Sequence, residues 1–333
     1  MQYIRFGNAG IEVSRLALGC MDFPLRQDEA TSQRILDTAL DKGINLLDTA
    51  DTYGSGRSEE VLGRILKDKR AQVILATKFW ANMYKRPNGG GCSRVHIIQA
   101  LDDSLRRLQT DYVDLYQLHH PDSKTPVEET ISTLDTLVKQ GKIRYYGVSN
   151  HYAWQMTHML GVSALHDWEP LVSVQCRYNI IDRPIESEIV PFVQRFNIAT
   201  MIYGPLDGGI LAGAYHKGEA VSDDTRAGKY RKYQEKLTDE VYGLLDELRK
   251  IAEKYEIGMS KLAFAWLLSK PCVTTVLMGG SKPEHFDDLY GVEEIEVESA
   301  DLERIDKLSG QWRYIPFHNQ PVTEGAPLGL NWW

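Results

Sequence analysis

Four short segments of this chain follow one pattern, an apolar run that stops abruptly at polar residues. They are DTADTYGSG at Asp48–Gly56, LATKFW at Leu75–Trp80, DLYQLHHPD at Asp114–Asp122 and GVSN at Gly147–Asn150. If the four runs are parallel strands of one barrel, their polar ends converge on its C-terminal rim, where the active sites of such barrels lie. The pattern predicts a site built from Asp48, Tyr53, Lys78, His119, Ser149 and Asn150.

The same alternation of strand-like runs and helical patterns extends along the chain. Short apolar runs without polar alternation are typical of parallel strands that helices cover on the outside. Eight such runs occur, at Leu16–Leu18, Asn45–Leu47, Val73–Ala76, Val113–Leu118, Tyr145–Val148, Val172–Val174, Thr200–Tyr203 and Thr275–Leu277. Helical spacing of apolar residues is found from near Asp28, from Ser58, and over Ser93–Leu108, Val127–Lys139 and Thr238–Tyr255. The predicted fold class is α/β, a (β/α)8 TIM barrel, with residues 1–333 forming a single domain.

Three regions fall outside this alternation. The sequence pattern of residues 1–13 predicts a β-hairpin with a turn at Asn8-Ala9-Gly10, and this hairpin would close one end of the barrel. Residues Gly208–Lys236 form a long polar insertion after the seventh barrel strand, and residues 310–333 form a tail rich in Gly, Pro and Trp. Because long loops in a compact domain are usually functional or disordered, we expect the insertion and the tail to lie near the rim, on the C-terminal face.

Composition excludes several kinds of partner. The net charge of −8 and the pI of about 5.6 give no basic surface for nucleic acid or an anionic membrane. There is neither an apolar run of signal-peptide length near Met1 nor the roughly 18-residue stretch that a membrane span needs. The four cysteines are scattered, which fits a reducing compartment, and we expect a cytoplasmic enzyme. The sequence leaves the oligomeric state open.

The residue types at the rim suit the reduction of a carbonyl group. A free tyrosine has a pKa near 10, and a lysine ammonium held close by is expected to lower the pKa of Tyr53. Asp48 would keep Lys78 charged, while His119 and Tyr53 would donate hydrogen bonds to one carbonyl oxygen. Tyr53 would then give its proton to the developing alkoxide. The set contains no activated nucleophile, so a hydride from a nicotinamide is needed.

Each of these residues taken alone has a more ordinary explanation. A single aspartate and tyrosine would usually be a turn and a core aromatic, and a single lysine a solvated strand end. His119, His120 and Asp122 together also suggest a metal site, but few carboxylates come from the other strand ends. We therefore expect no metal.

The chain resembles the aldo-keto reductase family over roughly 300 residues. The resemblance is carried by LALGCMDF (Leu16–Phe23), DTADTYGSGRSEEVLG (Asp48–Gly63), SLRRLQTDYVDLYQLH (Ser104–His119), GKIRYYGVSN (Gly141–Asn150) and VQCRYN (Val174–Asn179). It implies a (β/α)8 barrel with Asp48, Tyr53, Lys78 and His119 as a catalytic tetrad. It also implies that Ser149, Asn150 and Gln175 hold the carboxamide of a nicotinamide dinucleotide, and that Tyr203 stacks on the nicotinamide ring.

The segments that match the family's phosphate-binding loops depart from its pattern. After the seventh strand the chain reads YGPLDGGILAGAY, where Gly204 replaces a serine and Asp207 adds a negative charge beside the expected pyrophosphate. In the late loop MGGSKPEHFDDLYG, no arginine is available for a 2′-phosphate, and Lys282 would serve as a point charge. The residues expected at the phosphate half are Gly204, Leu206, Gly208, Gly213, Gly279, Gly280, Ser281, Lys282 and His285. The family favours NADP(H), and these departures make NAD(H) nearly as probable.

The substrate is inferred from rim residues outside the tetrad. Asp22, Trp80 and His120 are expected to contact it, and Trp312, Trp332 and Trp333 stand in the tail. Aromatic faces mixed with polar groups suit a sugar-like or polyhydroxylated carbonyl compound, and they suit a flat aromatic ketone equally well. The predicted function is an NAD(P)H-dependent oxidoreductase that reduces an aldehyde or ketone to an alcohol. The alternatives are a nucleotide-binding regulatory subunit of the same fold, because some relatives serve potassium channels, and an isomerase or lyase that retains its nicotinamide cofactor.

Overall fold

A closed barrel of eight parallel strands forms the centre of the computed structural model, which describes residues 1–280 and 282–313. The barrel strands are β3 (Leu16–Gly19), β4 (Leu46–Asp48), β5 (Ile74–Phe79), β6 (Val113–Leu118), β7 (Ile143–Ser149), β8 (Ser173–Arg177), β9 (Ala199–Tyr203) and β10 (Thr275–Met278). Each pairs with the next in chain order, and β10 returns to pair with β3. All eight predicted strand-like runs lie at these strands, so the predicted (β/α)8 barrel is confirmed.

A two-stranded hairpin closes the N-terminal end of the barrel. Its strands, β1 (Tyr3–Arg5) and β2 (Glu12–Ser14), are antiparallel, with Ile4 opposite Val13. Phe6 and Val13 are buried and belong to one apolar cluster with barrel-lining residues. The predicted hairpin is therefore confirmed, although its second strand extends one residue beyond the expected boundary.

The helices pack around the barrel, and the five predicted ones, α1, α2, α3, α4 and α9, begin within one residue of the expected positions. The Asp28, Ser93 and Thr238 side chains accept hydrogen bonds from the first turns of α1, α3 and α9, as N-cap residues do. The helices are α1 (Glu29–Asp41), α2 (Arg57–Ile65), α3 (Arg94–Leu108), α4 (Val127–Lys139), α5 (Ala153–His166), α6 (Ile189–Phe196), α7 (Arg226–Lys229), α8 (Arg231–Gln234), α9 (Asp239–Lys254), α10 (Met259–Leu268), α11 (Glu284–Asp287) and α12 (Ser299–Leu308). Within the described part of the chain, every helix is too short or too polar to span a lipid bilayer.

The insertion after β9 folds against the rim. It contains the two short helices α7 and α8, and Tyr233 of α8 packs against the backbone at Gly208. Gly208 has a φ of +71°, and a Cβ there would lie 2.7 Å from the Tyr233 ring, so only glycine fits. Of the predicted tail, Gly310–Trp312 forms a short 3-10 turn, and residues 314–333, including Trp332 and Trp333, lie outside the described residues.

The hairpin should contribute to stability by filling the barrel end. Phe6→Ala would leave a cavity next to barrel-lining side chains, and a buried Phe→Ala change typically costs about 3–5 kcal/mol. We expect a lower midpoint in urea unfolding followed by circular dichroism. Leu25→Ala, at an exposed position, is the control and should leave the midpoint nearly unchanged. Equal midpoints for both variants would show that the hairpin does not support the barrel.

Candidate active site

The C-terminal ends of neighbouring strands bring the predicted residues together. Asp48 is the last residue of β4 and pairs in register with Ala76 of β5, two residues before Lys78. His119 directly follows β6, and its backbone N–H donates to the Phe79 carbonyl at 3.0 Å. The alternation of side chains along each strand then directs Asp48 and Lys78 into the barrel.

The Lys78 ammonium is the centre of the site. It is fully buried, and all three of its N–H donors are used. They donate to Asp48 Oδ2 at 2.6 Å, to the Thr49 carbonyl at 2.9 Å and to the Tyr53 hydroxyl oxygen at 3.0 Å. A buried charge is tolerated when it is paired and hydrogen-bonded in this way. The arrangement fixes the Tyr53 hydroxyl next to a positive charge.

A short turn after β4 carries Tyr53 to this position. Residues Tyr53–Gly56 form a 3-10 turn in which Gly54, Ser55 and Gly56 all have positive φ angles. At Gly56, with φ +94°, a Cβ would lie 2.8 Å from Arg107 Cδ on α3. Glycine is therefore needed where the turn passes this helix.

Burial and Lys78 act in opposite directions on Tyr53. Burial raises the pKa of the Tyr53 hydroxyl, Lys78 lowers it, and the net direction is upward. The expectation that Lys78 brings this pKa below its ordinary value is therefore wrong, because burial outweighs the ammonium. Burial lowers the pKa of Lys78 itself, but Asp48 and Tyr53 raise it, and the net direction is again upward. At neutral pH the pair is a protonated tyrosine beside a charged lysine.

His119 is held as a neutral imidazole. Burial, Lys78 and His120 together lower the pKa of His119 to about 2. Its ring lies edge-on to Tyr53, with 5.9 Å between ring centroids, and stacks on His120 at 5.0 Å. A neutral imidazole donates one hydrogen bond and carries no charge, so among these residues Tyr53 is the better proton donor.

The predicted carboxamide residues lie at the next strand ends. Ser149 pairs in register with Gln175, and the Asn150 backbone N–H donates to the Gln175 carbonyl at 3.1 Å. The Asn150 side chain donates to the His119 carbonyl at 3.0 Å and accepts from the Tyr203 hydroxyl at 2.8 Å. Asn150 thereby links the ends of β6 and β9. Amide donors and acceptors next to an aromatic ring are the groups that a nicotinamide carboxamide needs.

The expected phosphate-binding segments have glycine-rich backbones. Gly204, Gly208 and Gly213 have φ angles of +66°, +71° and +78°. Gly280 is tightly packed, since a Cβ there would lie 2.7 Å from the Cβ of His285. The remaining residues expected to bind the phosphates are Leu206, Gly279, Lys282, His285 and Ser281. Lys282 and His285 are exposed, and Ser281 lies outside the described residues.

Asp207 does not present the negative charge that the sequence suggested. Its side chain is buried, contacts Arg177 and accepts from Lys236 Nζ at 2.8 Å. Asp182 also contacts Arg177, at 2.5 Å, so two basic and two acidic groups balance within this cluster. The expectation that Asp207 adds a negative charge beside the pyrophosphate is wrong, because Arg177 and Lys236, 30 and 29 residues away in sequence, compensate that charge.

The predicted substrate residues follow three barrel strands, Asp22 after β3, Trp80 after β5 and His120 after β6. The Trp80 indole lies 5.0 Å from the His120 ring, edge-on, and its N–H donates to the Pro121 carbonyl at 3.2 Å. Trp80 has a φ of +152°, a conformation that residues other than glycine rarely adopt. Asp22 is mostly buried at the end of β3, where Arg26 and Arg226 of the insertion each contact its carboxylate at 3.6 Å. No cluster of His, Cys, Asp and Glu suited to a metal ion occurs within residues 1–280 and 282–313.

Comparison with known proteins agrees with this arrangement. The sequence profile of the Aldo/keto reductase family matches residues 15–309. The chain belongs to the aldo/keto reductase family. It is 35% identical to "Aldo-keto reductase YhdN" of Bacillus subtilis (strain 168), over 92% of this chain and 93% of that protein.

Two further relatives show how varied the family is. One, 34% identical over 85% of this chain and 88% of its own length, is named "Probable voltage-gated potassium channel subunit beta" in Oryza sativa subsp. japonica. The other, 31% identical over 81% of this chain and 86% of its own length, is the "Versiconal hemiacetal acetate reductase" of Aspergillus parasiticus. Family membership and these reductase relatives support carbonyl reduction in general.

The sequence reasoning missed Gln117 in this aldo/keto reductase site, and it missed the contact of Gln175 with Asp48. Gln117 and Gln175 both donate to Asp48 Oδ1, at 3.1 and 2.8 Å, so Asp48 is held from two further strands. Gln175 was predicted only as a carboxamide ligand. Gln117 stands two residues before His119 in the sequence. Because side chains alternate along a strand with a period of two residues, this spacing was the signal that Gln117 points into the barrel, as His119 does.

The neutral state of His119 can be tested by its titration. With a pKa of about 2, His119 should show no change in its ring NMR signals between pH 5 and 8, and His119→Asn would assign those signals by their loss. The unfolded chain binds protons below the ordinary histidine pKa of about 6.5 while the folded state does not. The free energy of unfolding should therefore fall as pH decreases from 7 to 5. A titration midpoint for His119 near 6.5 would contradict the neutral donor.

Proposed function

We propose that this chain is an NAD(P)H-dependent reductase of an aldehyde or ketone, with Tyr53 as its general acid. The observation that carries the proposal is the Lys78 ammonium, fully buried, 3.0 Å from the Tyr53 hydroxyl and 2.6 Å from Asp48. A tyrosine that is protonated at neutral pH and lies beside a fixed positive charge is prepared to give up its proton.

Each tetrad residue has a distinct task in this proposal. Tyr53 and the neutral His119 donate hydrogen bonds to the substrate carbonyl oxygen, which polarises it. Tyr53 then transfers its proton to the developing alkoxide, and Lys78 stabilises the phenolate that remains. Asp48 keeps Lys78 charged throughout. When bound, a nicotinamide dinucleotide supplies the hydride that the carbonyl carbon accepts.

The same geometry sets the effect of pH on the two directions of reaction. Reduction needs the Tyr53 proton, and the raised pKa of Tyr53 keeps that proton in place through neutral pH. Alcohol oxidation needs the phenolate as a base, so its rate should increase with pH. The proposed enzyme is therefore better suited to reduction near pH 7.

The amide and glycine-rich segments support binding of the dinucleotide. Ser149, Asn150 and Gln175 offer the carboxamide both donors and acceptors, and Tyr203, fixed by its hydrogen bond to Asn150, offers a ring face. Gly204 has a positive φ angle and no side chain of its own, so its backbone can approach a pyrophosphate closely. Lys282 is the exposed cation proposed for a 2′-phosphate.

A sugar-like or polyhydroxylated carbonyl compound is the substrate class we propose. Trp80 is held in a rare backbone conformation, and such strain is found at functional sites where surrounding contacts maintain it. Its indole with His120 forms an aromatic wall that matches the C–H face of a sugar, while the ring nitrogens of His120 offer polar contacts. A screen of sugars against aromatic aldehydes, followed by cofactor absorbance, tests this class.

A regulatory role is the second candidate, because one relative carries the name of a potassium channel subunit. A regulatory subunit would bind the dinucleotide but turn over slowly with every aldehyde offered. Burst and steady-state rates measured together distinguish the two functions. Product analysis without added dinucleotide distinguishes the remaining alternative, an isomerase or lyase with retained cofactor.

Tyr53→Phe tests the general acid. Loss of the hydroxyl should lower kcat at least a hundredfold, which corresponds to about 3 kcal/mol in the barrier. Dinucleotide affinity, measured by fluorescence titration, should change little. Tyr146→Phe, which removes another buried hydroxyl outside the proposed site, is the control and should keep most of the activity. Retention of more than about a tenth of the activity in Tyr53→Phe would exclude Tyr53 as the acid.

Lys282→Ala tests the cofactor preference. Because an exposed point charge gives little directional hydrogen bonding, the preference for NADPH over NADH should be modest and should weaken as salt increases. Lys282→Ala should bring the two dissociation constants closer together. Lys67→Ala, an exposed lysine before β5 at the other end of the barrel, should leave both unchanged. A preference above about a thousandfold that survives high salt and the loss of Lys282 would place the 2′-phosphate site elsewhere.

A further inference from the structure

A second cluster of buried charges lies on the outer side of the barrel wall, behind the tetrad. Its members are Asp51 in the segment between β4 and Tyr53, Glu59 on α2 and Arg107 on α3. Asp51 is 1% exposed and Glu59 is fully buried. Neither carboxyl group has a role in the proposed reaction.

The single arginine is committed to only one of the two carboxyl groups. Arg107 Nε donates to Glu59 Oε2 at 2.7 Å, and the Thr77 hydroxyl donates to Glu59 Oε1 at 2.5 Å. Both oxygens of Asp51 are buried and have no hydrogen-bond partner among the described residues. One guanidinium cannot compensate two buried carboxylates, so a neutral Asp51 is the arrangement that costs least.

Asp51 is connected directly to the tetrad through the backbone. Its N–H donates to the Lys78 carbonyl at 3.1 Å, which extends the pairing of β4 with β5 beyond the end of the strand. The Tyr53 N–H donates to the Ala50 carbonyl at 3.1 Å. A displacement of Asp51 would therefore be transmitted to Tyr53, two residues further on.

We propose that Asp51 is a positioning residue whose bound proton keeps the segment before Tyr53 packed against the Glu59–Arg107 pair. This inference rests on the proposed function of Tyr53. When Asp51 loses its proton, repulsion from Glu59 displaces the segment from α2 and shifts the Tyr53 hydroxyl away from its position beside Lys78. Turnover then falls, although the tetrad residues keep their own protonation states.

The groups around Asp51 set the pH at which this occurs. Burial and Glu59 raise the pKa of Asp51, whereas Arg107, the neighbouring backbone N–H of Thr52 and Lys78 lower it, and the result is about 8. Tyr84, in the loop after β5, and Tyr116 on β6 also face it, and burial raises the pKa of each, so both are neutral in this range. The raised pKa of Tyr53 places its own ionisation at higher pH.

The test is the pH profile of carbonyl reduction in Asp51→Asn, which reproduces the shape of the neutral acid. Wild-type kcat should fall about tenfold between pH 7 and 9, as the protonated fraction of a group with a pKa of about 8 does. Asp51→Asn should match the wild type at pH 7 and keep its kcat at pH 9. Asp135→Asn, a buried aspartate on α4 outside the site, should retain the wild-type fall.

Infrared spectroscopy gives a readout that does not depend on activity. Wild-type protein should lose the carbonyl-stretch band of a protonated carboxyl group near pH 8, and Asp51→Asn should lack this change. A fall in kcat that persists unchanged in Asp51→Asn, or an Asp51 that is ionised at pH 7, would overturn the inference. Failure of the proposed function would look different, since no variant would then reduce carbonyls at any pH.

Discussion

The buried ammonium of Lys78 is the interaction on which the rest of the rim depends. Removing a charge from water costs several kcal/mol unless partners are provided, and here three acceptors from one short segment provide them. Asp48, the Thr49 carbonyl and Tyr53 all belong to the chain that leaves β4. The need to neutralise Lys78 on β5 therefore determines the path of that chain and, with it, the position of the Tyr53 hydroxyl.

Asp48 in turn depends on strands far away in sequence. Gln117 on β6 and Gln175 on β8 both donate to the oxygen that Lys78 leaves free. One oxygen of this carboxylate accepts from the charged Lys78, and the other accepts from the two neutral glutamine amides. The carboxylate is therefore held in one orientation, which limits the movement of Lys78 as well. The barrel must close before these contacts exist, so the site is a product of the whole sheet.

Much of this could be predicted from local patterns. Strand ends and helix starts follow from apolar periodicity and from cap residues such as Asp28 and Ser93. The net result of opposing effects on a pKa, such as burial and a neighbouring charge, could not be predicted from the sequence. Lys78 does lower the pKa of Tyr53, but the depth of burial, which decides the net direction, is a property of the folded state. Asp207 was misjudged for the same reason, since its partners Arg177 and Lys236 are 30 and 29 residues away.

Helix α5 shows another limit of periodicity. Residues Ala153–His166 contain no Asp, Glu, Lys or Arg, so the contrast between an inner and an outer face is weak, and no helix was predicted there. Its first residue, Ala153, nevertheless follows Asn150 of the proposed site by only three residues. The capping interaction between the Tyr152 N–H and the Gln155 side chain, at 3.0 Å, starts the helix where hydrophobic patterning does not.

The segment from Asp48 to Tyr53 has different chemistry on its two sides. Asp48 faces into the barrel and pairs with Lys78, whereas Thr49 and Asp51 face outward to α2, where the Thr49 hydroxyl lies 2.8 Å from that of Ser58. The inner side has one carboxylate for one ammonium and is balanced. The outer side has two carboxyl groups, those of Asp51 and Glu59, for the one guanidinium of Arg107. Its charges balance only while one of the two carboxyl groups is protonated. Because both sides hold the same few residues of backbone, the protonation state of the outer side affects the geometry of the inner one.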